Sequence, residues 1–278
     1  RNVLARSLSA GDDPAARAAS SKAALREGLR LDQVVQDRPG HAAEIIPADP
    51  LPLIESTVIP TAGIAVDGVQ YIHYMSVARW RKKGWRTNYG GLARSEDGGT
   101  TWKKTRRAHW RNSLLARRSF QLGAFARDPR GDRDWVYLFG TPNGRAGAIS
   151  LARVAPPSVG DPSAYLYWTG TGWSKRVREA VPVCDGPAGE LSVAYHRGLG
   201  CWLMVHLDDA GGRIVLRAAD EPTGPWSEGQ TLVAGADHPA LYGGYLHPHA
   251  LDGDEVYFTM SQWGPYNSYL LRAELSRA

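Results

Sequence analysis

A chain of 278 residues can bury a sizeable core, and 31 Gly, 18 Pro, 10 Trp and 12 Tyr punctuating many short apolar runs favour sheets joined by turns. The net charge of +5 comes mostly from Arg set against 28 acids; solubility accounts for it, and no nucleic-acid partner is expected. No apolar run approaches the roughly 20 residues of a membrane helix, and the lack of a P-loop, a dinucleotide fingerprint, a Gly-x-Ser-x-Gly elbow or a Cys-x-x-Cys pair removes several enzyme classes.

Arg1 to Ser9 reads as one strand, opening without Met, so processing or a missing N-terminal segment is expected. Asp12-Asp13-Pro14 supplies a helix cap with Pro at the first helical position. The Ala-rich stretch to Glu27 ends at Gly28, so a surface helix is predicted there, inserted in a loop. Residues 30 to 55, with Asp37 to Glu44 and the Pro-rich Pro47 to Pro52, read as a long loop of the kind that is usually functional.

Strands begin in earnest at Thr57. The first set is Thr57 to Val66, Tyr71 to Val77, Tyr89 to Arg94 and Thr101 to Lys104. The second is Gln121 to Arg127, Trp135 to Gly140, Ala148 to Val154 and Tyr165 to Trp173. In the third, a Gly/Pro-rich turn at Gly186-Pro187-Ala188-Gly189 introduces a strand that opens on Glu190, followed by Cys201 to Leu207 and Arg213 to Ala219. The fourth is Gly244 to Ala250, Glu255 to Gln262 and Ser268 to Glu274. Their inner strands recur every ~55 to 70 residues, somewhat longer than common propeller repeats. Cys184 and Cys201 flank the central strand pair; a disulfide and two free buried thiols are both open.

Ser95-Glu96-Asp97-Gly98-Gly99-Thr100-Thr101-Trp102 fits the S-x-D-x-G-x-T-W pattern and resembles the Asp box of sialidase-like β-propellers. Its chemistry is local: the Asp carboxylate bonds turn N–H groups, Gly supplies positive φ and Trp packs between blades. This motif is read as structural and not catalytic.

A wider resemblance rests on Arg38-Pro39-Gly40-His41, Thr57-Val58-Ile59-Pro60-Thr61, His73-Tyr74-Met75-Ser76-Val77, Tyr137-Leu138-Phe139-Gly140-Thr141-Pro142, Tyr167-Trp168-Thr169-Gly170, Gly189-Glu190-Leu191-Ser192-Val193 and Ser261-Gln262-Trp263-Gly264-Pro265-Tyr266-Asn267. Over nearly the whole chain these residues resemble the DUF4185 family, the Ser261 to Asn267 run most specifically. The resemblance implies an all-β, five-bladed propeller in one domain over residues 1–278, with a helical and loop insertion at about 10–55 and the first blade incomplete. It implies an endo-D-arabinanase-like glycoside hydrolase acting on arabinogalactan and lipoarabinomannan of mycobacterial type. Actinobacteria or their phages are the implied source, and the secreted space, the cell envelope or the virion the implied location. Family members begin with a further inner strand carrying an aspartate in a Gly-Asp-Thr-like context, and this chain starts after it. An upstream segment or partner chain is therefore expected to complete the first blade and half of the catalytic pair.

Glycoside hydrolysis usually needs two carboxyl groups, so acids aimed at a propeller axis are the candidates. Glu190 is the clearest on an inner strand, and its neighbours Gly189 and Leu191 favour the partial desolvation that suits a general acid. Glu55, just before Thr57, and Glu44, near His41, are candidates for the second acid, with Asp185 and Asp208 behind them. His41, His73, Tyr74, Asn88, Tyr89, Tyr245, His247, Gln262, Trp263, Tyr266 and Asn267 form the expected sugar-binding set of aromatic platforms and polar groups. For any one aromatic, packing between blades is the competing role. His247-Pro248-His249 puts two imidazoles on one side of an extended strand, too few ligands for a metal site; no metal or cofactor is expected. The basic and aromatic stretches Arg79 to Arg86 and Lys103 to Arg111 read as a solvated rim, an anionic glycolipid head group or nucleic-acid backbone being the alternative.

Overall fold

The computed structural model describes residues 5–6, 23–26, 33–49, 54–82, 84–105, 110–112, 119–130, 134–249 and 251–276. Residues 23–26 are helical; the rest of the predicted helix, and most of the predicted first strand, lie outside the described residues. Two short antiparallel pairs come first: β1 (Ala5–Arg6) with β2 (Gln33–Val34), and β3 (Gln36–Arg38) with β4 (His41–Ala42). The stretch expected to be an irregular loop thus contains a hairpin, its turn made at Gly40 with φ 77°.

Four meanders follow. The first sheet is β5 (Thr57–Val66), β6 (Val69–Trp80), β7 (Trp85–Ser95) and β8 (Lys103–Lys104), with β9 (Trp110–Arg111) also on β7. The second runs through β10 (Leu122–Arg127), β11 (Val136–Thr141), β12 (Gly147–Val154), β13 (Leu166–Trp168) and β14 (Trp173–Ser174), with β15 (Pro182–Ala188) on β12. The third is β16 (Leu191–His196), β17 (Cys201–Asp208), β18 (Arg213–Ala219) and β19 (Gln230–Ala234). The fourth is β20 (Leu241–Leu246), β21 (Glu255–Gln262) and β22 (Asn267–Glu274). The chain is an all-β propeller, and these sheets are the four blades among the described residues.

Successive side chains of a strand point to opposite faces, and each blade uses both. On β11, Val136 and Leu138 join Tyr71, Leu92 and Phe125 between the first and second blades, whereas Tyr137 and Phe139 join Trp202 and Met204 between the second and third. On β17, Leu203, Val205 and Leu207 turn the other way, onto Leu246, Val256 and Phe258 of the fourth. Central strands are therefore buried on both faces and read as unbroken apolar runs, while β22 at the edge is half-exposed. A smaller cluster, Val58, Ile72, Tyr74 and Ala93 with Ile45 and Ile46, covers the first blade on the side away from the second.

Three expectations are corrected. The Gly/Pro-rich stretch before Glu190 is strand and not turn: β15 lies on β12 in irregular register, and Gly186 is needed there because a Cβ would stand 2.4 Å from the Gly147 carbonyl oxygen. Tyr165 to Trp173 is two strands, reversed at Gly170 (φ 94°) and closed by Thr169 N–H donating to Gly172 O. The fourth inner strand starts at Leu241 and ends at Leu246, before the two histidines. Cys184 and Cys201 sit on different blades as free thiols.

Register sorts the loops into two ends. Thr57 pairs with Val77, Leu122 with Thr141, Leu191 with His206 and Leu241 with Gln262. The connections from β6 to β7, β11 to β12, β17 to β18 and β21 to β22 thus lie at the end where the inner strands start, here the upper end. The Asp box caps the lower end: Asp97 Oδ1 accepts from Ser95 Oγ (2.7 Å) and from the backbone N–H groups of Thr100 (3.0 Å) and Thr101 (2.9 Å), and Oδ2 from the Thr101 hydroxyl (2.6 Å). Gly98 and Gly99 supply φ of 67° and 83°, and Trp102 packs onto the Ile45–Tyr74 cluster.

Candidate functional site

At the upper end the inner strands converge on a cavity of about 230 Å³. All four blades line it: Ile59, Pro60 and Thr61 from β5, Leu122 and Gly123 from β10, Glu190 and Leu191 at the head of β16, and Tyr242 to Tyr245 on β20. Glu190 is its acid. The β16–β17 ladder runs past the formal end of the strand, with Leu207 N–H donating to Glu190 O (3.0 Å) and Gly189 N–H to Leu207 O (2.8 Å). Backbone pairing therefore fixes where the carboxyl starts.

What surrounds Glu190 differs from the apolar setting expected. Arg145, on the turn between β11 and β12, donates Nη2 to Glu190 Oε1 at 2.6 Å and Nη1 to Asp209 Oδ1 at 3.1 Å. Its guanidinium stands over the rings of Trp85 (5.4 Å) and Tyr242 (5.9 Å), a cation–π setting. Burial works against the Arg145 charge, and Glu190 followed by Asp209 more than offsets it, so the guanidinium pKa is raised. Asn143 pins the same turn, accepting from Thr87 N–H (2.7 Å) and donating to Trp85 O (3.0 Å).

Three buried polar atoms of this group have no protein partner: Glu190 Oε2, Arg145 Nε and Trp85 Nε1. One acceptor and two donors are thus left unpaired, each at a cost of about 1–3 kcal/mol, and all three are closed off from solvent. From the cavity an aromatic path leads outward, Tyr242 to Trp263 at 6.4 Å and Trp263 to Tyr266 at 5.7 Å. Trp263 and Tyr266 are 65% and 75% exposed. On the opposite side Trp85 meets the exposed Trp80 at 6.1 Å. Burial, then Tyr266, raises the Tyr242 phenol.

Of the predicted residues, the structure gathers Glu190, Tyr245, Trp263 and Tyr266 at or beside this funnel, with Gln262 and Asn267 opposite each other at the base of the Trp263 turn. His73 lies directly behind the cavity wall and is fully buried between Gly90 and Gly123, where a Cβ would stand 3.1 and 2.9 Å from the ring. Its Nε2 is 3.1 Å from Phe120 O, an acceptor, so Nε2 carries the proton and Nδ1 accepts from the Thr61 hydroxyl at 2.6 Å. His73 thereby orients a hydroxyl that does line the cavity.

The others lie elsewhere. Glu55, Tyr74, Asn88 and Tyr89 form a network on the outer side of the first blade. Glu55 Oε1 accepts from Asp49 N–H (2.7 Å) and Lys104 Nζ (3.0 Å), and Oε2 from the Ser76 hydroxyl and, at 3.5 Å, from Tyr89 OH. Asn88 Nδ2 donates to Ile54 O and to Ser76 Oγ. Burial before all else raises the Tyr74 and Tyr89 phenols. Glu44 and His41 are exposed around the β3–β4 hairpin, and Asp185 is exposed on β15. Asp208 is occupied by Gly211 N–H and Arg213 Nε within its own hairpin. His247 follows β20 at the lower end, where burial and then His249 lower its pKa to about 4. Among the described residues no group of three or more His, Cys, Asp or Glu is placed to hold a metal.

Sequence reasoning missed Arg145, Asp209, Trp85, Tyr242 and Thr61. The first three sit on hairpin turns or strand tips of different blades, and only the folded propeller brings them together.

Comparison with known proteins agrees with this architecture. Notoamide biosynthesis cluster protein J of Aspergillus sp. (strain MF297-2) is 34% identical over 218 residues, covering 75% of this chain. The chain spans 56% of that relative's length. Among solved structures, the α-L-arabinanase of Cellvibrio cellulosa superposes with a TM-score of 0.51 at 13% identity, over 86% of this chain and 82% of the other. An exo-β-1,3-galactanase from Phanerochaete chrysosporium, solved with β-1,3-galactotriose, gives 0.53 at 11% identity, over 77% and 45%. At these identities the likeness is one of fold. Residues 14–272 match the family described as "Domain of unknown function (DUF4185)", and the chain belongs to that family.

Proposed function

We propose that the chain is a glycoside hydrolase, cleaving α-D-arabinofuranosyl linkages in arabinogalactan or lipoarabinomannan of mycobacterial type. The observation that carries this reading is the Glu190 carboxyl in the axial cavity, with one oxygen held by Arg145 and the other unpartnered, at the inner end of the Tyr242–Trp263–Tyr266 path. The Glu190 carboxyl supplies one half of the acid and base pair, and the exposed rings stack on sugar faces. The family resemblance and the fold shared with an arabinanase support the substrate class.

In this proposal the second carboxyl comes from an upstream segment or a partner chain, on a blade additional to the four described. Glu55 and Glu44 are the alternatives within this chain, and Glu55 already has four donors around it. A polysaccharide substrate of the envelope goes with a secreted, envelope or virion location, checked by fractionation. Purified arabinogalactan incubated with the natural protein and with its Glu190→Gln variant is the test. Oligosaccharides released by the natural protein and not by the variant are expected; equal release by both refutes the role of Glu190, and release by neither refutes the hydrolase.

A non-catalytic arabinan-binding or structural module, such as a virion component, is favoured by one observation. Gln121 heads the second blade's inner strand as Glu190 heads the third's, and it is fully buried, accepting from the Thr87 hydroxyl and donating to Trp110 O. The head of that blade's inner strand is thus an amide spent in the interior, and it brings no second carboxyl to the axis. Arabinan that binds with intact N-terminal sequence present and is never cut would decide for this reading.

A further inference from the structure

We infer that Arg145, braced by Asp209, is the positioning residue for Glu190, so that the site is built across the seam between the second and third blades. This rests on reading Glu190 as the working carboxyl. Arg145 arrives from the second blade, Glu190 and Asp209 from the third, and the guanidinium gives each carboxylate its own terminal nitrogen, at 2.6 and 3.1 Å. An arginine held in this way cannot swing toward one acid without leaving the other.

Three further features show that the arrangement is built in. Gly189 leaves the side chain room to cross, since a Cβ there would stand 3.1 Å from Arg145 Cγ. Trp85 and Tyr242, from the first and fourth blades, flank the guanidinium, and Asn143 ties its turn to β7. Asp209 is 53% exposed on its side chain, so it has no need of a buried counter-ion, and what the contact fixes is Arg145. The consequence falls on Glu190: Oε1 is held at 2.6 Å by Arg145, so the carboxyl rotamer is set at the cavity wall. Orientation of this kind is worth much in rate, because a misplacement of about 1 Å can cost ~100-fold.

The test compares wild type, Arg145→Ala, Arg145→Lys, Asp209→Asn, Glu190→Gln and the Arg145→Ala/Glu190→Gln double variant on arabinan. Product release gives kcat and KM separately, with and without added guanidinium ion at concentrations that leave the melting curve unchanged. Arg145→Ala is expected to lower kcat ~100-fold with little change in KM, and guanidinium ion to restore part of it. Asp209→Asn should fall in the same direction by less. The double variant should be no worse than Glu190→Gln alone, because the two side chains act as one unit. Where Arg145→Ala does not fold, the exposed Asp209→Asn and the conservative Arg145→Lys carry the test. Turnover surviving Glu190→Gln overturns the reading of Glu190 and this inference with it. Turnover lost in Glu190→Gln but kept in the Arg145 and Asp209 variants overturns this inference alone. If wild type binds arabinan without cutting it, calorimetry reads the same set. Matching losses of affinity in Glu190→Gln, Arg145→Ala and the double variant support the coupling, and wild-type affinity in Arg145→Ala overturns it.

Discussion

Replacing Glu55 with Ala should cost stability and leave the glycan site intact. The Glu55 side chain is 2% exposed, and its carboxylate collects the Asp49 N–H, the Lys104 ammonium, the Ser76 hydroxyl and the more distant Tyr89 phenol. Removing one partner of a buried ion pair typically costs 3–5 kcal/mol. Here Lys104 keeps Asp49 at 3.3 Å and is 20% exposed, which places the loss at the lower end, about 3 kcal/mol. For a domain of this size each kcal/mol moves Tm by roughly 2–4 °C, so the midpoint should fall by about 6–12 °C. Glu55→Gln keeps an acceptor and should fall less. Thermal denaturation followed by circular dichroism measures the shift, and calorimetry with arabinan oligosaccharides, run well below the midpoint, measures the site. A Glu55→Gln protein with wild-type Tm and no glycan binding or cleavage would refute the reasoning, because it would place Glu55 in the chemistry.

Alanine at Trp263 or Tyr266 should each weaken arabinan binding by about 1 kcal/mol, roughly fivefold, in a titration, and leave Tm unchanged because both rings are exposed. Gly90→Ala should lower the urea midpoint markedly, since the new methyl would stand 2.1 Å from the backbone oxygen of Phe120, and overpacking costs about 1–3 kcal/mol or more. Asp97 has its carboxyl pKa lowered by the Thr101 hydroxyl first, then by the Thr101 N–H and Ser95. A depressed folded pKa stabilises the fold above the unfolded value of 3.8, and that contribution declines below 3.8 and is lost as pH falls through the folded pKa. Melts of Asp97→Asn and wild type should therefore differ at pH 6 and converge as the buffer is taken toward pH 2. His247 should titrate at about 4 by NMR, far below an exposed imidazole.

Much of the architecture was legible in the sequence because the propeller writes its central strands as apolar runs. Cys201 to Leu207 and Arg213 to Ala219 announce β17 and β18 almost to the residue, since both faces of a middle strand are buried between blades. The Asp box is equally plain, as the bonds made by its Ser95, Asp97 and Trp102 side chains reach no more than four residues along the chain. One of the misreadings came at β15, where Gly186 and Pro187 signal a turn locally; they lie in a strand because the chain passes close against the Gly147 backbone. Glu190 was visible as an acid at the head of an inner strand. Arg145 was not, because nothing near residue 145 in sequence indicates that its partners are Glu190 and Asp209, 45 and 64 residues away.

The two ends of the propeller divide the work, and the heads of the inner strands decide what the upper end can do. At the lower end the Asp box and Trp102 satisfy their polar groups locally and seal a blade. At the upper end Gln121 and Glu190 occupy corresponding positions, each just ahead of a Leu that opens an inner strand. Gln121 turns inward and spends its amide on Thr87 and Trp110, tying the second blade to the first. Glu190 faces the cavity, with a cation on one oxygen and no partner on the other. Fold stability explains the amide completely. It does not explain a carboxylate at the axis with an unpaired oxygen, and on the proposed reading that difference puts the working carboxyl at the third blade.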